Sequence, residues 1–256
     1  MILVIANDKR MTYVADELSE FFNVVRYRTN FNIAEIEHIV LPFKVEEQEM
    51  RTLVNQLPDE CVIFTPIMRS FLQDLPQKIE VIMDYDEIAI YNSIPTAEGT
   101  IFYIMKNTEH TIHNANIHII GAGRCGETLA KSLRALGANV QISSRNPSLV
   151  ARLFESGIPA VALEEGALRD ADVIINTVPA MMLGPEQLQQ VKKGAYIADI
   201  ATAPGGVDFE YAQKLGITAE LLPALPGIVA PKTAASYLVQ FIKRKVSESW
   251  CNKCHK

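Results

Sequence analysis

The sequence predicts an α/β fold in which two doubly wound, parallel-sheet domains are joined by a crossing helix. Short apolar runs typical of buried strands alternate with longer amphipathic runs typical of helices over most of the chain. The 256 residues, 48% of them hydrophobic, are enough for two domains with sizeable cores. A helical segment near the middle separates two such alternating stretches, so we place the domain junction there.

The first domain is expected over residues 1–94. Its strands should lie at the apolar runs 2–5, 24–27, 38–41, 61–64 and 79–83, and its helices at 12–22, 46–57 and 68–73. Strands that alternate with helices pair in parallel, so this half is predicted to be a flavodoxin-like domain.

A helix over residues 95–110 is expected to link the domains. Pro95 fits its first turn, where the missing backbone N–H has no partner to lose and the fixed φ suits a helix. Ser93 would then lie near the cap of this helix.

Residues 116–146 carry the most informative pattern, a short apolar strand followed by Gly121-x-Gly123-x-x-Gly126 and a helix. Gly121 allows a tight turn, Gly123 leaves room for a pyrophosphate, and Gly126 lets the helix pack against the strand. The helix N-terminus then offers N–H groups and a positive dipole end to phosphates. The pattern predicts a Rossmann dinucleotide-binding domain over residues 95–230, and the alternative is an ordinary glycine-rich turn.

The end of the next strand indicates which dinucleotide binds. About 20 residues after the glycines, NAD-binding domains place an Asp or Glu that bonds the ribose 2′-hydroxyl. This chain has Ser143, Ser144 and Arg145 there instead. A guanidinium can pair bidentately with a 2′-phosphate and a hydroxyl can donate to it, so the prediction is NADP. The alternative for Arg145 is a solvated loop cation.

The rest of the second domain repeats the alternation of strands and helices. Strands are expected at 172–178, 195–200 and 217–222, and helices at 146–155, 185–191 and 208–215. Loops after the strands should meet the cofactor. Together with the glycine turn they give these further candidate cofactor contacts: Arg124, Cys125, Thr177, Val178, Pro179, Asp199, Ile200, Ala201, Pro226 and Gly227. The alternative for Asp199 is a structural cap of the Gly205-Gly206 loop.

The C-terminal part is expected to form a helix over residues 231–249 that packs back toward the first domain. A disordered tail is expected over residues 250–256. The tail contains Cys251-x-x-Cys254-His255, the spacing of covalent haem attachment. No export signal or dedicated haem domain accompanies it, so no haem or other metal site is predicted.

Composition excludes several function classes. The formal net charge of −6 argues against a nucleic-acid partner. No stretch of about 18 apolar residues is present, so no membrane span is expected, and the apolar run at the N-terminus is too short for a signal peptide. Four scattered cysteines are typical of reduced thiols in a cytoplasmic protein.

Several segments are more specific than the glycine turn. They read DEIAIYNSIPTAEGTI at 86–101, INTVPAMML at 175–183, DIATAPGGVDF at 199–209 and LPGIVAPKTA at 225–234. Over roughly residues 80–245 the chain closely resembles the dipicolinate synthase family of spore-forming bacteria, and within it the A-type, dinucleotide-binding component. The first turn, Ala6-Asn7-Asp8-Lys9-Arg10, keeps the Asp and Arg of that family but lacks its two glycines.

The resemblance implies an NADP-linked oxidoreductase of the sporulating mother cell. Such a protein forms dipicolinate, pyridine-2,6-dicarboxylate, from dihydrodipicolinate and works with a second, flavoprotein-like component of dipicolinate synthase, the B-type component. The substrate would be a small dicarboxylate bound in the cleft beyond the strand ends, and we also expect a homo-oligomer.

A dicarboxylate needs cations at these strand ends. Arg10, Arg69 and Lys232 follow strands and can pair with carboxylates, and the alternative for each is a solvated surface charge. Ser93, Thr96 and the N–H groups at the start of the linking helix could bind an anion, or simply cap the helix.

The reaction also needs a group that removes a proton. Glu98 and Asp8 are the candidate catalytic bases, because a carboxylate desolvated in a closing cleft becomes more basic. Glu98 could instead stabilise the first turn of the linking helix.

Two other functions fit the same pattern. One is an NADP-dependent dehydrogenase of the shikimate or methylene-tetrahydrofolate type, although no convincing Lys and Asp pair stands in the first domain. The other is a protein that binds NADP and catalyses nothing alone.

Overall fold

The structure, a computed structural model, describes residues 1–162 and 167–254, with side chains through residue 249 in the last helix. In chain order the strands and helices are β1 (Ile2–Val4), α1 (Lys9–Ser19), β2 (Val24–Arg26), β3 (His38–Val40), α2 (Glu47–Val54), β4 (Val62–Thr65), β5 (Lys78–Val81), α3 (Asp86–Asn107), β6 (Asn116–Ile120), α4 (Arg124–Ala135), β7 (Asn139–Ser143), α5 (Pro147–Glu155), β8 (Ala160–Val161), β9 (Val173–Asn176), α6 (Pro185–Leu188), β10 (Tyr196–Asp199), α7 (Phe209–Lys214), β11 (Thr218–Leu221), α8 (Leu225–Val229) and α9 (Pro231–Cys254).

The chain divides into two compact units. The first contains Met1–Asn92 and Pro226–Lys256, and the second contains Ser93–Leu225. The C-terminal helix α9 therefore belongs to the first unit, where it packs along α1.

The first unit is built on a five-stranded parallel sheet in the order β2-β1-β3-β4-β5. This order reverses between β1 and β3, as in flavodoxin-like folds. Alternate residues of β1 face opposite sides of the sheet. Ile2 and Val4 pack with α1 and α9, whereas Leu3 packs with Met50 of α2.

The second unit is built on a six-stranded parallel sheet in the order β11-β10-β9-β6-β7-β8. This is the strand order of a Rossmann domain, and it reverses between β6 and β9. Its central strands are buried on both faces: Ile175 packs with Leu129 of α4, and Ile174 packs with Leu188 of α6. The predicted fold class is thus confirmed for both halves.

The linking helix departs from the prediction. α3 begins at Asp86, well before Pro95, and runs through that proline to Asn107. The acidic Asp86 and Glu87 occupy its first turn, where they complement the helix dipole. Pro95 is tolerated although it removes the N–H that would bond the carbonyl one turn earlier.

Smaller differences lie at the segment ends. The segment 68–73 forms only a short 3₁₀ turn, and the short strand β8 was not predicted. α9 continues through Cys254, so residues 250–254 of the expected disordered tail are helical, and residues 255–256 lie outside the described residues. No helix within the described ranges is long and apolar enough to cross a bilayer.

Candidate functional site

Four strands of the second unit end side by side at one edge of the sheet. Ser143 of β7 pairs with Ile120 of β6, Ile120 pairs with Asn176 of β9, and Asn176 pairs with Asp199 of β10. Since these strands are parallel, the loops that follow them leave from the same edge. The glycine turn, Ser144-Arg145 and the loops after β9 and β10 therefore lie next to one another.

The glycine turn has the geometry that its sequence predicts. Gly121 adopts φ +106°, in the region that favours glycine. A Cβ on Gly126 would lie 2.0 Å from the Gly121 carbonyl oxygen, so only glycine lets α4 approach the turn this closely. A Cβ on Gly123 would meet nothing within 4 Å, which leaves open space beside the N-terminus of α4.

That open space fits the pyrophosphate of a dinucleotide. The backbone N–H groups in the first turn of a helix have no intrahelical partners and attract anions. Arg124 is exposed at the first position of α4. The neighbouring Cys125 is half-buried, and burial raises the pKa of its thiol, so it remains protonated near neutral pH.

The three residues predicted to read the ribose do not share one environment. Ser143 is buried, and its Oγ lies 2.5 Å from His118 Nε2 on the neighbouring strand, so it faces the sheet rather than the loop edge. Ser144 is half-buried and its Oγ accepts a hydrogen bond from the Asn146 N–H at 3.2 Å. Arg145 is exposed and makes no hydrogen bond or ion pair with the described residues, so its guanidinium is free to meet a ligand.

The loop after β10 is held by a buried polar pair. Asn176 donates to Asp199 Oδ1 at 2.9 Å, and both side chains are fully buried. Asp199 also accepts from the N–H groups of Ala201 at 3.0 Å and Gly206 at 2.6 Å. Its backbone carbonyl accepts from Leu222 at 2.7 Å. Asp199 therefore caps the loop at Gly206, the alternative that the sequence left open, and its carbonyl is engaged in the sheet.

The other predicted cofactor contacts line this edge. Thr177 Oγ1 donates to the Ile120 carbonyl at 3.0 Å, which fixes the start of the loop after β9. Val178 and Ile200 are half-buried, Pro179 is exposed and Ala201 is buried.

Pro226 and Gly227 fall in the first unit instead, in α8. A Cβ on Gly227 would lie 3.5 Å from Arg10 Cζ, so this glycine borders a predicted substrate residue.

In the first unit, two predicted cations converge on one loop residue. The guanidinium of Arg10 stacks over the ring of Phe43 at 3.6 Å, and Arg69 donates to the Phe43 carbonyl at 2.5 Å. They meet because β1, β3 and β4 are parallel and end at the same edge of the sheet. Burial lowers the pKa of Arg10 to about 10 and also lowers the pKa of Arg69.

Asp8 and Lys232 have local roles. Asp8 is the N-cap of α1 and accepts from the Met11 N–H at 2.8 Å. Lys232 is exposed in the first turn of α9, where its charge acts on Glu17 of α1.

The anion site predicted from Ser93 and Thr96 is wrong, because both residues lie inside α3 rather than at its start. Both are buried, and Ser93 Oγ lies 2.7 Å from Thr128 Oγ1 of α4. Backbone N–H groups in a helix interior are used by the helix itself and cannot form an anion site. Glu98 is an exposed residue of the same helix interior, so it does not stabilise a first turn either.

Three residues that support the site, Phe43, Asn176 and His118, are not predicted from the sequence. Phe43 supports Arg10, Asn176 supports Asp199, and His118 holds Ser143. For Asn176 the sequence did contain a signal, because a polar residue ends an otherwise apolar strand. Phe43 and His118 had none, because each acts through a residue distant in sequence.

The fold and this strand edge define an NAD(P)-binding protein of the dehydrogenase type. Residues 97–208 match the model for the NAD binding domain of D-isomer specific 2-hydroxyacid dehydrogenases. The A-type component of dipicolinate synthase from Bacillus subtilis (strain 168) is 40% identical over 201 residues, which are 76% of this chain and 68% of that protein.

Solved structures agree with this match. The A-type component of dipicolinate synthase from Bacillus halodurans superposes with a TM-score of 0.87 at 33% identity, over 95% of this chain and 96% of that one. The corresponding component from Bacillus subtilis gives a TM-score of 0.86 at 32% identity, over 98% and 97% of the two chains. The chain belongs to the family of A-type dipicolinate synthase components, which confirms the resemblance seen in the sequence.

Proposed function

We propose that the chain is the NADP-dependent oxidoreductase component that forms pyridine-2,6-dicarboxylate from dihydrodipicolinate. The observation that carries the proposal is its membership of the family of A-type dipicolinate synthase components. The intact glycine turn supports a dinucleotide cofactor, because Gly123 leaves space for phosphates at the N-terminus of α4.

The reaction removes a hydride and a proton from the dihydropyridine ring. Bound NADP⁺ would accept the hydride, and the gain of aromaticity favours the oxidised product. The protein then needs to orient the ring, bind two carboxylates and accept the proton. We assign the carboxylates to Arg10 and Arg69, and the proton to Asp8, which is exposed and whose charge acts on Arg10.

NADP rather than NAD is proposed because no acid follows β7. Ser144 and Arg145 stand where an acidic residue would bind the ribose 2′-hydroxyl, and the Arg145 guanidinium is exposed. We further propose a cytoplasmic homo-oligomer of the mother cell that works with the flavoprotein-like B-type component, because those are the expectations that the family resemblance raised.

The reaction is tested by mixing the chain with dihydrodipicolinate and NADP⁺, with and without the flavoprotein-like component, and following the ultraviolet absorbance of dipicolinate. We expect product in the presence of the partner. No product under that condition would overturn the proposed reaction, and NADP⁺-dependent oxidation of shikimate would favour the other dehydrogenase class.

Cofactor preference is tested by Arg145→Ala. We expect it to weaken NADP⁺ binding, measured by calorimetry, by about 1–3 kcal/mol through loss of a charge-assisted contact. NAD⁺ binding should be nearly unchanged. Arg169→Ala, at another exposed arginine of the same unit, is the control and should affect neither cofactor. Equal losses for both cofactors in Arg145→Ala would refute the 2′-phosphate role.

A further inference from the structure

Arg10 is a buried charge without a protein partner. Only 2% of the residue is exposed, and its Nε is buried without a hydrogen bond. The guanidinium forms no ion pair or hydrogen bond with any described residue. Asp8, whose charge acts on Arg10, is exposed and uses Oδ1 to cap α1.

Both broad faces of this guanidinium are covered. The ring of Phe43 lies 3.6 Å from Arg10 Cζ on one side. A Cβ on Gly227 would stand 3.5 Å from the same atom and 3.7 Å from Nε and Nη2, so Gly227 covers the other face. What remains is the edge of the fork, where the N–H groups point. That edge matches two oxygens lying in one plane.

A second cation stands at the same loop. Arg69 donates to the Phe43 carbonyl, and its Nε is also buried without a hydrogen-bond partner. The two arginines thus hold Phe43 by its ring and by its backbone. Two positive charges therefore lie beside the loop after β3. At Arg10, no acid among the described residues forms an ion pair with the guanidinium.

Burying a charge without a partner destabilises a protein, and the lowered pKa of Arg10 reflects that cost. A methionine would fill similar volume without it. Such a charge is expected where a ligand supplies the missing counter-charge, because binding sites often sacrifice stability for function.

We infer that the fork edge of Arg10 is the receptor for one carboxylate of a small organic acid, with Phe43 and Gly227 fixing the guanidinium and Arg69 adding a second positive charge. All four residues belong to the first unit, so the acid should bind without the dinucleotide. The guanidinium is shielded from solvent, so entry requires local opening of its surroundings, as in loops that close over ligands. The inference deepens the proposed function, on which it rests for the choice of a dicarboxylate, because it names the edge of Arg10 that would receive one of the two carboxylates.

The test uses the full chain without NADP and measures melting temperature and calorimetric affinity with pyridine-2,6-dicarboxylate, malonate, unsubstituted pyridine and inorganic phosphate. We expect the dicarboxylates to raise the melting temperature and pyridine and phosphate not to do so. Arg10→Met should abolish that rise. It should also increase the melting temperature of the free protein by about 3 °C or more, since it removes an uncompensated buried charge.

Two further variants sharpen the test. Arg51→Met is the matched control, an exposed arginine 5.9 Å from the Phe71 ring, and should retain carboxylate binding. Arg10→Lys keeps the charge but loses the planar fork, so we expect about tenfold weaker binding or worse. If Arg10→Met does not fold, the affinity of Arg10→Lys for the dicarboxylates tests the inference instead.

The outcomes separate this inference from the proposed reaction. Carboxylate binding that survives in Arg10→Met or is unchanged in Arg10→Lys would overturn the inference, even if the assay with the flavoprotein-like component yields product. A lower melting temperature of free Arg10→Met, or binding of phosphate alone, would also overturn it. Arg10-dependent binding of malonate without pyridine-2,6-dicarboxylate would support the receptor and refute the proposed substrate.

Discussion

Gly123 and Gly126 of the glycine turn have different surroundings. Gly126 is packed so closely that a Cβ would collide with the Gly121 carbonyl oxygen at 2.0 Å, whereas Gly123 faces open space. The backbone of Gly123, φ −76° and ψ −173°, is also accessible to any residue. The fold therefore requires glycine at position 126 but not at position 123.

Substitution by alanine should separate the two roles. Gly126→Ala is expected to lower the free energy of unfolding by about 1–3 kcal/mol, because the turn has to shift. Gly123→Ala should change it by less than about 1 kcal/mol, the scale of a helix N-cap substitution. It should nevertheless weaken NAD(P) binding by about 1–3 kcal/mol, because the added methyl group would occupy the open space and keep the phosphate from the N–H groups. Denaturant melts and calorimetry measure both effects. Full cofactor affinity in Gly123→Ala would contradict the assigned position of the pyrophosphate.

His118 introduces a pH dependence at the residue scale. It is buried against Ser143, and burial lowers its pKa to about 4, against an ordinary value of 6.5. In the unfolded chain, His118 therefore binds a proton below about pH 6.5. In the folded chain, it binds a proton only below about pH 4. Its contribution to stability is complete above pH 6.5 and is lost as the pH falls through that window.

Chemical denaturation at a series of pH values tests this assignment. Wild type should lose up to about 3 kcal/mol between pH 6.5 and pH 4 through His118, at 1.36 kcal/mol per pKa unit. His118→Asn should flatten that slope relative to wild type. His113→Asn, at an exposed histidine of the same unit, is the control and should leave the slope as it is. An unaltered slope in His118→Asn would show that the ring is not buried in its neutral form.

At the scale of elements, α9 is tied to the sheet of the first unit by a charged cluster. Glu80 of β5 is buried, accepts from Tyr85 at 2.5 Å and pairs with Lys78 at 2.6 Å, while Lys245 of α9 lies 3.9 Å away. Burial alone would raise the pKa of Glu80, but these hydrogen bonds and positive charges outweigh it and hold the pKa below its usual value. The ionised carboxylate thus helps to fix the C-terminal helix.

Glu80→Gln should weaken this attachment while preserving shape. We expect the free energy of unfolding to fall by about 1–3 kcal/mol, the range for hydrogen bonds to a charged group. Glu248→Gln removes an exposed partner of the same Lys245 and should cost no more than about 0.5 kcal/mol. Equal effects of the two substitutions in urea melts would mean that the cluster contributes no more than a surface ion pair.

At the scale of the whole molecule, each unit has hydrophobic cores of its own. Residues of α9 such as Leu238 and Phe241 complete a core of the first unit, and the cores around Ile175 and Ile174 lie within the second. Chains of this kind commonly depart from two-state unfolding. Two thermal transitions are therefore expected.

Scanning calorimetry can assign these transitions. Glu80→Gln should lower one of them and Gly126→Ala the other, since they lie in different units. NAD(P) should raise the midpoint temperature only of the transition that Gly126→Ala lowers. At a free concentration 100 times Kd, the cofactor should stabilise that unit by about 2.7 kcal/mol. A single transition moved alike by both variants would show that the units unfold together.

Local signals in the sequence were sufficient for part of the molecule. Alternating apolar strands and amphipathic helices predict two parallel sheets, and the roles of Gly121, Gly123 and Gly126 follow from steric demands within one turn. The predicted start of α3 is wrong because Pro95 is a local signal for a helix start, whereas the helix begins at Asp86 and continues through the proline.

Short-range patterns are enough to predict the fold class, the glycine turn and the position of Arg145 after β7, because each depends on neighbours a few residues away. In contrast, the meeting of Arg10, Phe43 and Arg69 arises only when the sheet has formed. The same holds for the contact of Ser143 with His118. Those contacts depend on the order in which strands pair, which no local pattern specifies. The same strand order leaves Arg10 buried without a counter-charge among the described residues, and that points to a carboxylate from outside the chain.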